Sequence, residues 1–600
     1  MTMVKHQDSN DVKSVEKLAP LNDELNMTSL NDSMNASRSQ DDSSAVEAAH
    51  ARYRYSSSHR LHQVASKTVV SFGPDDPDYP VNWSMKKKAF ISVAGIMQVM
   101  NSTIGSSLPS GAIPYIAHDF HVTSHEGLVL PISLYIVGYV VGPLFFGPIS
   151  EAYGRKVPQL IAFLLFNIFT MSCALTTSFT SLLILRLFCG IMASAPIAIV
   201  GGLLADIETD PTRRGRVMAY FMATTTFGPV VGPWVSGFVS PINWRLTFWI
   251  GLIIAVLTLP FVALMPETYA PVILQQRARR LRKEMGNASI LAPLDLENRN
   301  LKATLVVNLT RPIRMIFHES IVSLTCLYTS LAYAIFYLYF QAYPMVFQGI
   351  YGMSAGVAGL CFLPIGLGSF ISCGIFLWYD GFLARAKARG AEWAQIEEYR
   401  RLPLACVGGP LYVVSLFWLG WTASANIHWV APMLSGVVFG IAYMLIFMAM
   451  LNYLSDAYAA FAASAQSAAS CSRSIFGAVL PLAAKSMFDR LGIHWGCSVL
   501  AFVSLGLCVI PFAFIRYGSD IRKNSTFSQY LLQMREAEQR ENEARKHDIE
   551  LQAQAQAEAR VQAVARAHMS IKADPAIIVI QTDEKDLEHM ATCLRDSSSR

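Results

Sequence analysis

The sequence predicts an all-α membrane protein, with twelve transmembrane helices arranged as two sets of six. Three observations carry that reading. Of the 600 residues 53% are hydrophobic and only 15% charged, and mean hydropathy is positive at +0.35. The charges are segregated: no Asp, Glu, Lys or Arg occurs from Gly356 to Tyr379 or from Ile427 to Ser455. Apolar runs of this length match the ~20 helical residues that cross a bilayer core.

The elements follow in order. Residues 1–75 are polar, rich in Ser, Asn and Asp, and read as an unstructured tail; they contain no apolar core that would make a signal peptide. Asn82-Trp83 and the cluster Lys86–Lys88 then anchor the first span at an interface. Spans are expected near 89–110, 128–146, 158–177, 182–205, 217–239 and 245–265, which makes 76–265 one six-helix unit. A basic link, 266–318, leads to a second unit, 319–518, with spans near 320–343, 356–378, 403–423, 429–453, 462–484 and 496–516. Residues 519–600 form a second tail. Within it Phe527–His568 is rich in Ala, Gln, Glu and Arg and favours helix, while Leu531, Leu532, Ile549 and Leu551 are too sparse for a coiled-coil seam.

Charge orients the spans. Arg155 and Lys156, then Arg213, Arg214 and Arg216, then Arg277–Lys283, then Arg385, Lys387 and Arg389 all fall on one side. The links on the other side, such as Thr176–Thr180 and Gln348–Ser354, carry no charge. The positive-inside rule therefore puts both termini in the cytoplasm; Lys485, Arg490 and the link around Asp456 run against the trend. The glycosylation patterns at Asn26, Asn31, Asn287 and Asn524 then face the cytoplasm and are chance matches. The ten cysteines lie mostly in apolar stretches without a CxxC pair, as small buried residues.

Composition excludes several functions. A net charge of +5 spread over cytoplasmic links gives no nucleic-acid footprint. The chain carries no phosphate-binding loop, no histidine pair at metal-ligand spacing and no nucleophile elbow, so an enzyme and an ATP-driven pump are both set aside. No cofactor or metal is expected. The partners are the lipid bilayer, a small-molecule substrate and an ion gradient, and the chain is expected to work as a monomer.

The residues left to carry function are few. Gly147–Lys156 reads Gly-Pro-Ile-Ser-Glu-Ala-Tyr-Gly-Arg-Lys, a short charged turn between the second and third spans and a candidate gate: Gly147, Glu151, Gly154, Arg155 and Lys156. Asp206, at the same side of the fourth span, is a partner for Arg155 or a free surface acid. Arg186 lies within the fourth span, where an unpaired guanidinium is expensive, so it faces carboxylate, carbonyls or water unless it snorkels to the interface. Arg473 in the eleventh span is a second such cation. The fifth span holds Gly228, Pro229, Gly232, Pro233 and Gly237, suited to bending or to close packing. The seventh is aromatic, with Tyr328, Tyr333, Phe336, Tyr337, Tyr339, Phe340 and Tyr343 facing either a substrate or lipid. Gln98, Asn101, Gln341 and Asn452 are uncharged polar candidates for substrate binding.

These stretches resemble the major facilitator superfamily, and within it the fungal twelve-span drug:proton antiporters, over about residues 72–525. Gly147–Lys156 is similar to the signature between spans two and three, Arg186–Gly190 to the fourth-span arginine motif, and Gly228–Gly237 to the antiporter motif. Asp76–Trp83, Pro266–Val272 with Arg277–Arg282, and Asn452–Tyr458 resemble fungal multidrug, polyamine and metabolite exporters in particular. The resemblance implies two six-helix bundles rocking about a central site, with cytosolic substrate exchanged for an external proton. It implies that Glu151 caps the eleventh helix in an outward-facing state, that Arg155 pairs with Asp206, that Arg186 assists proton coupling, and that the fifth-span glycines let the bundles meet. Two positions depart from the family pattern. Glu151-Ala152 replaces an Asp followed by a cation, and Gln341 stands where relatives are expected to carry Glu, which favours a neutral or anionic substrate over a polyamine.

The leading expectation is a proton-coupled exporter of a drug or secondary metabolite in the plasma membrane, with the vacuolar membrane as the alternative location. Uptake or facilitated passage of a nutrient, polyamine or organic acid is the second reading. A non-transporting receptor that signals through its C-terminal tail is the third.

Overall fold

A computed structural model of the chain describes residues 62–64, 67–73, 75–208, 210–296, 301–458 and 461–523, with six isolated helical positions beyond. All but the last five of those positions belong to one compact unit covering 54–531. The rest of both tails, including nearly all of Phe527–His568, lies outside the described residues.

The first six spans are Met85–Ser107, His125–Tyr153, Lys156–Leu175, Phe179–Ile207, Pro211–Val239 and Trp244–Leu264. Span 7 is Ser320–Tyr343, continued by a π-helical turn to Ile350, and span 8 is Ala355–Leu360 plus Leu363–Ala388. Spans 9 and 10 are Glu397–Thr422 and Val430–Ala457. The helix Ala462–Leu507 is broken at Gly492 (φ 72°) and followed by Val509–Lys523. Span 11 runs up to that break and span 12 returns from it.

By length and hydropathy, nine described helical stretches suffice to cross a membrane, with Ala462–Arg522 among them as one. Dividing that stretch at Gly492 and adding spans 1 and 5 gives the twelve. Span 1 is only weakly apolar because it sits inside its bundle: Gln98, Asn101, Ser102, Thr103, Ser106 and Ser107 are all buried against neighbours. Span 3 has the reverse pattern. Val157, Ile161, Leu164, Ile168, Met171 and Leu175 recur at three- and four-residue steps and are exposed, a lipid-facing stripe.

Two helical bundles result, and small residues set their internal spacing. A Cβ on Gly138 would strike the backbone of Gly190, and one on Gly190 the carbonyl of Tyr135, so spans 2 and 4 touch backbone to backbone. Ser102 Oγ donates to the Ala193 carbonyl (2.6 Å) and ties span 1 to span 4. In the second bundle the aromatic face of span 7 points inward. Tyr328, Phe336, Tyr337, Tyr339, Phe340 and Tyr343 are buried, which removes lipid as their partner. Phe336 stacks on Tyr443 at 5.1 Å and Tyr339 on Phe439 at 4.2 Å, both on span 10.

Between bundles, span 2 packs on span 11 and span 5 on span 8. The end that carries Lys156 and Arg213 is called the basic end, its opposite the far end. Hydrogen bonds across the seam run from the far end to mid-span: Ser106 Oγ with Tyr337 Oη (2.9 Å), Ser133 Oγ to the Ala478 carbonyl (2.8 Å), and Cys471 Sγ to the Val140 carbonyl (3.5 Å).

Two expectations need correction. The link Gly147–Lys156 is not a turn: span 2 stays helical through Tyr153 and only Gly154 and Arg155 separate it from span 3. The tail assigned to 1–75 is structured at its end. There β1 (His62–Val64) pairs antiparallel with β2 (Lys67–Val69), and β2 pairs parallel with β3 (Ile290–Leu291) from the central link. Val70 and Phe72 join Leu274, Ala278 and Ile290 in a small core of their own, and Asp76 is salt-bridged to Arg277. The link itself is ordered, with helices Ala270–Met285 and Leu301–His318.

Candidate functional site

At the basic end of the first bundle a charged cluster forms around Arg155, the residue that precedes span 3. Helix geometry places it there. Gly154 takes φ 93°, a conformation that L side chains rarely adopt, so the chain leaves span 2 and re-enters span 3 within two residues. A Cβ at Gly154 would also run into the Glu267 carboxylate.

Arg155 is 8% exposed and fully engaged. Its Nε donates to Asp206 Oδ2 on span 4 (3.1 Å) and Nη1 to Ser150 Oγ on span 2 (2.8 Å), while the guanidinium lies 4.8 Å from the centroid of the Tyr269 ring. Removing either member of the Arg155–Asp206 pair strands a buried charge, a loss of ~3–5 kcal/mol. Exchanging the two should therefore preserve transport better than losing either. Vesicle uptake by R155D/D206R should exceed that of R155A and D206A, with recovery incomplete because Ser150 and Tyr269 lose their partner.

Sequence reading missed the centre of this cluster. Glu267, two residues past the start of the segment after span 6, accepts from the backbone N–H of Arg155 (2.8 Å, Oε1) and of Lys156 (3.1 Å, Oε2). Its Oε1 also accepts from Thr268 N (3.0 Å) and Tyr269 N (2.9 Å). The first backbone N–H groups of a helix have no partner within it and favour an anion, so this carboxylate caps span 3 from outside. The signal lies in Pro266-Glu-Thr-Tyr269, where the sequence alone offers only a resemblance to fungal exporters.

Other gating candidates are placed differently. Gly147 has no heavy atom near a would-be Cβ, Glu151 is exposed, and Lys156 contributes its backbone N–H. The Arg155 cluster is internal to the first bundle, so in this conformation it braces that bundle and does not latch it to the second.

The second bundle repeats the arrangement at its own basic end. Arg401, near the start of span 9, pairs with Asp456 at the end of span 10 (3.4 Å), and Glu398 pairs with Arg522 at the end of span 12. Glu319, before span 7, accepts from Tyr458 Oη (2.7 Å). Arg401 thus supplies the positive charge that the link around Asp456 lacks.

Within the membrane Arg186 is 2% exposed, which rules out snorkelling. Its Nε donates to the Pro131 carbonyl (2.8 Å) and Nη2 to those of Gly105 (2.9 Å) and Ser106 (3.3 Å), with the guanidinium 4.2 Å from the centroid of the Tyr135 ring. It also lines a cavity of about 10 Å³ with Asn101, Thr170 and Cys189, room for roughly one water. Arg186 therefore fastens spans 1, 2 and 4 beside the Ser106–Tyr337 contact between bundles.

The fifth-span glycines divide their work. Gly228 faces Thr103 and Gly232 faces Ser107 and Leu108, both on span 1 of the same bundle. Only Gly237 lies against span 8, where a Cβ would meet the Ala355 carbonyl. The expectation that all of them join the bundles is thereby corrected. Pro229 and Pro233 lie within a helix that remains continuous. A Gly237→Val wedge should hold the far end apart. A cysteine replacing Ser110, 7% exposed at that seam, should then be labelled by an impermeant maleimide only in the presence of the wedge.

Of the substrate candidates, three are committed elsewhere. Gln98 bonds with Gln159 of span 3, and Asn101 Nδ2 donates to Met97 O (2.9 Å) and Thr258 Oγ1 (2.8 Å). Tyr337 is spent on the seam with Ser106. Tyr333, Gln341, Asn452 and Arg473 remain half-buried in the second bundle.

The geometry is that of two braced helical bundles, closed on each other at one end, with polar and aromatic side chains at mid-depth. Comparison with known proteins agrees. The family model described as Major Facilitator Superfamily matches residues 95–481. A transporter of the citrinin biosynthesis cluster of Monascus ruber is 38% identical over 471 residues, covering 76% of this chain and 91% of that protein. The efflux pump FUB11 of Gibberella moniliformis is 38% identical over 470 residues, 76% of this chain and 77% of its own. A transporter of the ascochitine biosynthesis cluster of Didymella fabae is 36% identical, with coverages of 77% and 90%. Among solved structures, the proton:xylose symporter XylE bound to a bromodeoxyglucose superposes with a TM-score of 0.54 at 16% identity, over 72% of this chain and 96% of that one, a likeness of fold.

Proposed function

This chain belongs to the major facilitator superfamily and is a membrane transporter, not an enzyme, and we propose that it exports a small organic molecule from a fungal cell by alternating access, in exchange for a proton. The observation that carries the reading is the asymmetry of the seam. The bundles are joined by hydrogen bonds from the far end to mid-span, while Glu151 and Tyr153 at the basic end are exposed. The positive-inside rule puts that basic end in the cytoplasm, so this is the inward-facing state, loaded from the cytosol.

The relatives named as efflux pumps and as transporters of biosynthetic clusters support export over uptake. The plasma membrane, a monomer, and a division into tails, link and two bundles near 76–265 and 319–518 belong to the same proposal. Proton exchange is assigned to the Arg155–Asp206 pair at the cytoplasmic mouth, where a carboxylate on span 4 faces a buried guanidinium. Arg186 assists by holding the carbonyls next to the far-end closure. Disruption of the gene tests the direction. Export predicts cells that become sensitive to a toxin or to their own metabolite; loss of growth on one nutrient would favour the uptake reading instead.

A further inference from the structure

The acids of the spans sit near helix ends, and most are already matched: Asp206 with Arg155, Glu398 with Arg522, Asp456 with Arg401 and Asp489 with Lys485. The membrane interior is different. Its charges are Arg186, satisfied by carbonyls, and Arg473, eleven residues beyond Ala462 and so ~16 Å into span 11, near the bilayer midplane. Arg473 has no hydrogen bond or ion pair among the described residues. Its guanidinium lies 5.9 Å from the ring centroid of Tyr333 on span 7 and 5.5 Å from that of Phe447 on span 10. Ring faces attract a cation without cancelling its charge.

We propose that the exported molecule is an aromatic organic acid whose anionic group pairs with Arg473 while its ring lies against Tyr333 and Phe447. The inference rests on the transporter reading and deepens it to a substrate class. A half-buried guanidinium at mid-membrane is costly until an anion reaches it, and its planar fork matches a carboxylate in a bidentate pair. A cationic drug would meet a like charge with no carboxylate to offset it, and Gln341 supplies none. The position suits transport as well as binding. Tyr333 stands 5.0 Å from Tyr337, whose hydroxyl closes the seam on Ser106, and Cys471, two residues before Arg473, touches the Val140 carbonyl of span 2. An anion bound there sits where the two bundles hinge. Its exit from the cytosol is also driven by a membrane potential that is negative inside.

The test uses the full-length protein in nanodiscs and one scaffold in three charge states: 1-naphthylacetate, 1-naphthylacetamide and 1-naphthylmethylamine. Binding is followed by calorimetry, and the apo melting temperature reports folding. The acid should bind at least tenfold tighter than the amide, and the amine most weakly. Arg473→Gln should bind acid and amide alike, and Arg473→Lys should keep part of the preference. Amine binding that equals or exceeds acid binding would overturn the proposal, as would absence of acid binding to the wild type or a preference that persists in a folded Arg473→Gln protein. Because binding is read without transport, charge discrimination that depends on Arg473 stands even if the direction of transport proves to be inward.

Discussion

Replacement of Arg186 by alanine should abolish transport and lower the melting temperature by several degrees. The side chain donates to three backbone carbonyls, those of Pro131, Gly105 and Ser106. Hydrogen bonds to a charged group contribute ~1.5–3 kcal/mol each in favourable cases, and in the membrane interior no water stands ready to replace them. Spans 1, 2 and 4 would lose their common fastener where Ser106 meets Tyr337. Lysine keeps the charge, but its three donors sit on a single nitrogen and lack the planar fork whose separate nitrogens reach Pro131 on one side and Gly105 and Ser106 on the other. Arg186→Lys should therefore melt between wild type and alanine, with uptake into vesicles reduced at least tenfold. A receptor that signals through its tail would tolerate either change and fail on removal of residues 519–600.

The second large effect should come from Glu267, at the end of the first bundle. Glu267→Ala leaves the N–H groups of Arg155 and Lys156 without an acceptor and frees those of Thr268 and Tyr269. Loss of a helix cap costs ~0.5–2 kcal/mol. Glutamine keeps one acceptor oxygen and no charge, so Glu267→Gln should retain part of the stability and little of the transport. Thermal unfolding in detergent, run beside vesicle uptake, separates these two losses. Equal stability of the alanine variant and the wild type would mean that the cap is not what holds span 3.

Why some of this was legible in sequence and some was not follows from what each residue touches. The spans were visible because lipid demands long apolar runs. Even so, span 1 and span 5 bury polar residues against their neighbours, and no hydropathy measure finds them as easily. Arg186 stood out as a charge in an apolar run, whereas its partners are carbonyls, which every residue carries and no sequence pattern marks. Gln98 and Asn101 resemble substrate contacts in the sequence because they are polar within a span. Their partners Gln159 and Thr258 lie 61 and 157 residues away, on helices whose rotation the sequence leaves open. Glu267 was hidden differently, since the helix it caps begins 111 residues earlier. The link Gly147–Lys156 looked like a turn because it is polar. Only Gly154 breaks it, through its positive φ, and the rest extends span 2 beyond the bilayer core.

The direction of transport is the central claim, and inside-out membrane vesicles test it most directly. Loaded with an acidic lumen and offered labelled aromatic acids alongside neutral and cationic drugs, vesicles bearing this protein should accumulate at least one compound. That accumulation should collapse with a protonophore and with Arg155→Ala. Accumulation by right-side-out vesicles alone would contradict export and identify an uptake permease.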